Sequence, residues 1–83
     1  MKKQKTVLIA DDDKNLVGIL KDRLTYEGYK VCMAYEGQMT IETTYKKKPD
    51  LILLDLWMPD GTGHTVLQEL RGNEETREIP IIV

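Results

Sequence analysis

Long apolar runs are missing from this sequence. VLIA, behind the basic opening MKKQK, is too short for the apolar core of a signal peptide, and acids follow it at once. No stretch approaches the length of a membrane span. Cysteine is nearly missing too. Cys32 stands alone, so no internal disulfide can form and a reducing compartment is expected. Neither sign of charge dominates: 12 Lys+Arg against 14 Asp+Glu leave a net charge of −2. That argues against nucleic acid or an anionic membrane as the main partner of this segment. Internal repeats, low-complexity tracts and linkers are also missing. These absences leave one small cytoplasmic domain. Its 83 residues, 41% hydrophobic and 31% charged, have an ordinary globular composition. Domains of this size are marginal, so loss of one packing layer should be felt.

The apolar residues that are present come in short blocks. TVLIA (Thr6 to Ala10), stopped by Asp11-Asp12-Asp13, reads as a buried strand. Leu16, Val17, Ile19, Leu20 and Leu24 then recur at helical spacing, with Asp13 or Asn15 as the cap and Gly28 as the stop. Tyr29 to Tyr35 is a second strand and Glu36-Gly37 a turn. Gln38 to Lys47 is a second helix with a weak signature, because Thr40, Thr43 and Thr44 are poor helix formers; Pro49-Asp50 ends it. Leu51 to Leu54 is the third strand. Val66, Leu67 and Leu70 mark a third helix that stops near Gly72-Asn73, and Ile79 to Val83 is a fourth strand with Pro80 near its start. Strands alternating with helices predict an α/β fold with a doubly wound parallel sheet and right-handed crossovers.

Open sheets of this kind place ligand sites beyond the carboxyl ends of their strands. The first strand ends in Asp11-Asp12 and the third in Asp55. If those strands are neighbours, three carboxylates meet at one rim, where mutual repulsion would raise their pKa values. A divalent cation relieves that conflict, and carboxylates, a carbonyl and waters suit Mg²⁺. A carboxylate can also attack phosphorus to give an aspartyl phosphate. The plainer reading makes Asp11 to Asp13 a helix cap with solvated loop acids. Asp55 resists it, since it follows a fully apolar strand and is no obvious cap. Met58-Pro59-Asp60-Gly61-Thr62-Gly63 is a tight turn that would bring backbone groups to the same spot, with Gly63 leading into a helix.

VLIADDD (Val7 to Asp13), EGY (Glu27 to Tyr29), KPDLILLDLWMPDGTG (Lys48 to Gly63) and REIPIIV (Arg77 to Val83) together resemble the receiver domain of bacterial two-component response regulators. The likeness runs in order through essentially the whole chain, and the DLWMP segment after an apolar strand is its most specific part. The resemblance implies a flavodoxin-like receiver fold of strand order 2-1-3-4-5. It implies Asp55 as phosphoacceptor, Asp12 as direct Mg²⁺ ligand, and Asp11 as its partner acid, acting partly through water. Trp57 would give the metal a backbone carbonyl, its indole being incidental and partly exposed. The implied partner is a histidine kinase or phosphotransfer protein. The implied activity is self-phosphorylation and self-dephosphorylation without a turnover substrate, so the chain is not expected to be an enzyme.

Family members continue beyond the fourth strand to a Ser or Thr that meets the phosphoryl group, then to a Lys ending a fifth strand. This sequence has no Lys after Lys48. The resemblance therefore implies that 1–83 is an incomplete receiver, truncated after the fourth strand, without the fourth helix, fifth strand and fifth helix. Its activity would be impaired, and its open last strand would favour self-association. Two rivals are an interaction module with no phosphoryl chemistry, and an aspartate-nucleophile phosphatase built on the D-x-D of Asp11 to Asp13. His64 reads as a solvent-facing first-turn helix residue, Lys46 to Lys48 as a solvated helix end, Tyr29, Tyr35 and Tyr45 as core or boundary aromatics, and Cys32 as a small buried hydrophobe.

Overall fold

The computed structural model describes residues 4–58 and 63–83. The elements are β1 (Thr6–Ala10), α1 (Lys14–Tyr26), β2 (Lys30–Ala34), α2 (Gly37–Lys47), β3 (Leu51–Leu54), α3 (Gly63–Arg71) and β4 (Ile81–Ile82). The four strands form one parallel sheet of order β2-β1-β3-β4. This is the α/β order expected for the first four strands, with β1 between β2 and β3. No helix among the described residues is long and apolar enough to cross a membrane.

β1 is central because its side chains can be buried on both sides. Val7, Leu8, Ile9 and Ala10 are all at most 2% exposed. Strand alternation sends Leu8 and Ala10 to one face, where they join Ala34, Ile52, Leu54, Met58, Val66 and Leu70 under α2 and α3. Val7 and Ile9 go to the other face and join Val17 of α1, with Leu20, Leu24, Met33, Leu51 and Leu53 around them. The sheet thus carries helices on both faces.

α1 starts where Asp13 caps it: its Oδ1 accepts from the Asn15 and Leu16 N–H groups, each at 3.1 Å. It ends as expected at Gly28, whose φ of +98° suits a residue without Cβ. α2 begins one residue before the expected Gln38, and its threonines explain its weak signature. Thr40 and Thr44 lie on the buried face with Gly37. Their hydroxyls donate to the carbonyls four residues back, Thr40 to Glu36 at 2.7 Å and Thr44 to Thr40 at 2.8 Å. Polar atoms satisfied inside the helix let small side chains serve as its core face.

β2 is one residue shorter at each end than expected, and Tyr29 lies at the surface, 39% exposed. Cys32 is half-buried rather than buried; its thiol donates to the Val7 carbonyl at 3.8 Å. β4 keeps only two of the five expected residues. Among the described residues it pairs with β3 alone, and Pro80 contributes a carbonyl, accepting from the Ile52 N–H at 3.0 Å.

Two side chains hold the approach to β4. Arg71 donates from one guanidinium nitrogen to the carbonyls of Arg77 and Ile79, at 2.7 and 2.8 Å. Buried Thr76 donates to the Leu70 carbonyl at 2.6 Å. We expect Arg71→Ala to lower stability by about 1–2 kcal/mol, since charged hydrogen bonds to carbonyls are worth about that when partly exposed. Urea unfolding measures it, with hydrogen exchange rising first at Ile79, Ile81 and Ile82.

Candidate functional site

Parallel pairing brings the acids together. Ala10 is in register with Leu54, so the next residues, Asp11 and Asp55, leave the sheet side by side. Backbone bonds continue past both strand ends: the Asp55 N–H donates to the Ala10 carbonyl at 2.9 Å, and the Asp11 N–H to the Ala34 carbonyl at 3.0 Å. The apolar runs deliver the carboxylates to the rim rather than into the core. Asp11 and Asp55 are half-buried there and Asp12 is exposed. One carboxylate oxygen from each of Asp11, Asp12 and Asp55 lies within 4.8 Å of the others.

Each of three acids grips the chain two residues ahead. The Asp13 N–H donates to Asp11 Oδ1 at 2.9 Å, Asn15 to Asp13, and the Trp57 N–H to Asp55 Oδ1 at 2.9 Å. These are Asx turns, a local habit of aspartate. They fix the planes of Asp11 and Asp55 before any ligand arrives. Asp13 is spent on the helix cap and does not join the cluster. The Asp-x-Trp offset carried this signal in the sequence, but only as the general tendency of Asp to bond its own backbone.

The electrostatics are unfavourable without a cation. Burial, and then the charges of Asp55 and Asp12, push the Asp11 carboxyl above its ordinary value; the Asp13 N–H works in the opposite direction. Lys14, in the first turn of α1, lies 5.2 Å from the centroid of the Tyr35 ring. Among the described residues the one ion pair within 4 Å is Arg23–Glu27, so no lysine or arginine neutralises the cluster directly. A cluster of three aspartates with no paired cation fits the hard oxygen site that Mg²⁺ prefers.

A sign follows for pH. The folded state holds the Asp11 proton more tightly than the unfolded chain does. Stability without divalent cation should therefore fall as pH rises from the ordinary carboxylate value to the raised one, then level off. Asp11→Asn keeps an acceptor for the Asp13 N–H and removes the repulsion. We expect it to flatten that pH dependence and to stabilise the metal-free chain near neutrality by up to about 1 kcal/mol. Denaturant midpoints across pH, in EDTA, check both.

Trp57 is 83% exposed, and its ring meets His64 edge-on at 6.1 Å. His64 is exposed in the first turn of α3, as expected. Pro59, Asp60, Gly61 and Thr62 of the expected turn lie outside the described residues. Its far end is described. A Cβ on Gly63 would sit 2.5 Å from Leu56 Cα and 2.6 Å from the Leu56 carbonyl carbon, so the chain that leaves Asp55 returns against its own backbone. Beside Asp11 and Asp55 a cleft of about 290 Å³ opens over Ile9, Leu20, Leu53 and Ile82.

The sequence profile described as "Response regulator receiver domain" matches residues 7–83. The fold also recurs in solved structures. The N-terminal domain of a response regulator receiver protein from Methanoculleus marisnigri JR1 is 30% identical with a TM-score of 0.89, covering 95% of this chain and 64% of that one. The chemotaxis response regulator CheY4 of Vibrio cholerae is 26% identical with a TM-score of 0.89, over 95% of this chain and 66% of that one. The HemR receiver domain from Leptospira biflexa is 28% identical with a TM-score of 0.84, over 94% and 61%. The chain thus spans 61–66% of the length of these relatives.

Proposed function

This chain belongs to the response regulator receiver domain family, and on that premise we propose that Asp55 accepts a phosphoryl group from a histidine kinase or phosphotransfer protein. The observation that carries the reading is the convergence of the Asp11, Asp12 and Asp55 oxygens within 4.8 Å at the ends of adjacent strands. A carboxylate oxygen of Asp55 attacks phosphorus. The phosphorus–nitrogen bond to the donor imidazole breaks as the new phosphorus–oxygen bond forms, and the imidazole leaves with the electron pair and is protonated. The Trp57 N–H on Oδ1 orients the attacking carboxylate. Asp11, Asp12, Asp55 and the Trp57 carbonyl would hold Mg²⁺. When bound, the ion neutralises the clustered carboxylates and the charge on the transferred phosphoryl oxygens.

Incubation with Mg²⁺ and acetyl phosphate, followed by peptide mass spectrometry, tests the assignment. One phosphoryl group on Asp55 is the expected result; a stable, folded chain that never acquires it sinks the reading for these 83 residues. An enzymatic reading, with Asp11 as a phosphatase nucleophile, is disfavoured by the receiver-family match over residues 7–83. Phosphatase turnover lost in Asp11→Asn but kept in Asp55→Asn would restore it.

A second property is favoured by the surface of β4. Ile82, on a strand that pairs only with β3 among the described residues, and Val83 just after it are 57% and 67% exposed. We propose that the 83-residue chain, studied alone, self-associates along this edge. Light scattering should show mass rising with concentration, and Ile82→Lys should return the chain to monomer. A wild-type monomer throughout the concentration series would refute the proposal.

A further inference from the structure

The two ends of the sheet carry opposite charge. Asp11, Asp12, Asp13 and Asp55 stand at the carboxyl ends of the strands. At the other end stand Lys5 just before β1, Lys30 opening β2, and Lys46, Lys47 and Lys48 closing α2. All five lysines are exposed, and among the described residues none forms an ion pair. Asp50 and Glu27 are acids of the same end: Asp50 Oδ2 accepts from the Thr6 N–H at 2.8 Å, and Glu27 pairs with Arg23 at 3.0 Å, while Glu74, Glu75 and Glu78 precede β4 at the opposite edge of the sheet from β2. The last carbonyls of α2 account for roughly half a negative charge. Three lysines at that helix end exceed it, and Lys30 and Lys5 add to the excess.

This charge surrounds a definite space. Between the start of β2 and the end of α2 lies a cleft of about 110 Å³, lined by Thr6, Lys30, Val31, Cys32 and Lys47. The positive field reaches its floor: Lys47 and Lys30 both favour the thiolate of Cys32, opposing the burial that pushes the thiol up. The volume is far below the ~300–1,000 Å³ of sites that take drug-sized ligands, so the fit is to a single compact group. Ammonium groups make their strongest hydrogen bonds to ionised oxygen acceptors.

We propose that this cleft binds a small phosphate-type oxyanion between Lys30 and Lys47, with the Cys32 side chain, on the same face of β2 as Lys30, as its floor. The site is separate from the acidic cluster. A strand of five residues spans about 17 Å, and the two sites lie at opposite ends of it.

The probe is inorganic pyrophosphate, added to the metal-free 83-residue chain at constant ionic strength and followed by amide NMR. Saturable shifts confined to Thr6, Lys30 to Cys32 and Lys47 are expected, with Asp11 and Asp55 unmoved. Lys30→Gln combined with Lys47→Gln should weaken binding at least about tenfold, while Lys21→Gln on α1 should not. Shifts that spread over every lysine without saturating, or a double variant that binds like the wild type, would overturn the site. Citrate binding as tightly as pyrophosphate would overturn the assignment to phosphate.

Discussion

Asp55→Asn should abolish the phosphoryl adduct completely and leave the fold intact. The asparagine side chain retains an oxygen to accept the Trp57 N–H, which Asp55 Oδ1 now holds at 2.9 Å, so the loop keeps its anchor. What is lost is the anionic nucleophile. The same change removes one of the charges that raise the Asp11 pKa, so the metal-free chain should unfold at higher denaturant while failing to react. This opposition of sign separates a functional role from a structural one. A structural aspartate would cost stability when replaced. Mg²⁺ affinity should fall at least about tenfold, or ~1.4 kcal/mol, in both Asp55→Asn and Asp12→Asn. Calorimetric titration measures that, and the rise in Tm with Mg²⁺ should shrink in parallel. Asp12→Asn should slow the adduct without eliminating it, because Asp12 is not the nucleophile. An adduct of wild-type yield in Asp55→Asn would move the acceptor elsewhere.

Gly63→Ala should be a strongly destabilising single-methyl change. The new Cβ would fall 2.5 Å from Leu56 Cα, and main chain cannot swing aside as a flexible side chain can. Overpacking of this kind costs about 1–3 kcal/mol and occasionally more. A domain of this size has about 4–12 kcal/mol in all. Gly18→Ala is the contrasting change. Nothing lies within 4 Å of its added Cβ, and it sits inside α1. It should stabilise by about 0.5–1 kcal/mol through helix propensity. Urea midpoints that move in the same direction for both would contradict the close approach at Gly63. Because Leu56 immediately follows Asp55, Gly63→Ala should also slow phosphorylation in whatever fraction stays folded.

The sequence made β1, α1 and β3 legible because each has one clear period. Thr6 to Ala10 and Leu51 to Leu54 are unbroken apolar blocks, and Leu16 to Leu24 repeat at helical spacing. It also placed Asp11, Asp12 and Asp55 at strand ends. Their meeting was conditional on β1 and β3 being neighbours, a non-local fact that came from the family resemblance rather than from spacing. α2 was faint because its buried face is Gly37, Thr40 and Thr44, whose hydroxyls are satisfied internally. No apolar stripe announces such a helix. The length of β4 was misread because Ile79 to Val83 has strand composition throughout, while Arg71 and Thr76 commit the residues just before it to a turn. The Trp57 N–H bond to Asp55 lay hidden for the same kind of reason: a backbone donor is common to nearly every residue.

The strand order has a consequence in time. β1 is synthesised first, yet it needs partners on both edges, and its second partner is β3. Leu54 follows Ala10 by 44 residues, which at ~5–20 residues per second takes a ribosome ~2–9 s. Throughout that interval the most deeply buried of the described strands has one edge it cannot pair, and the two carboxylates at its end have no third to meet. The nascent chain is therefore most prone to stick to its neighbours just before β3 emerges. A molecule that captures exposed apolar segments during synthesis would find its best target in Val7 to Ala10.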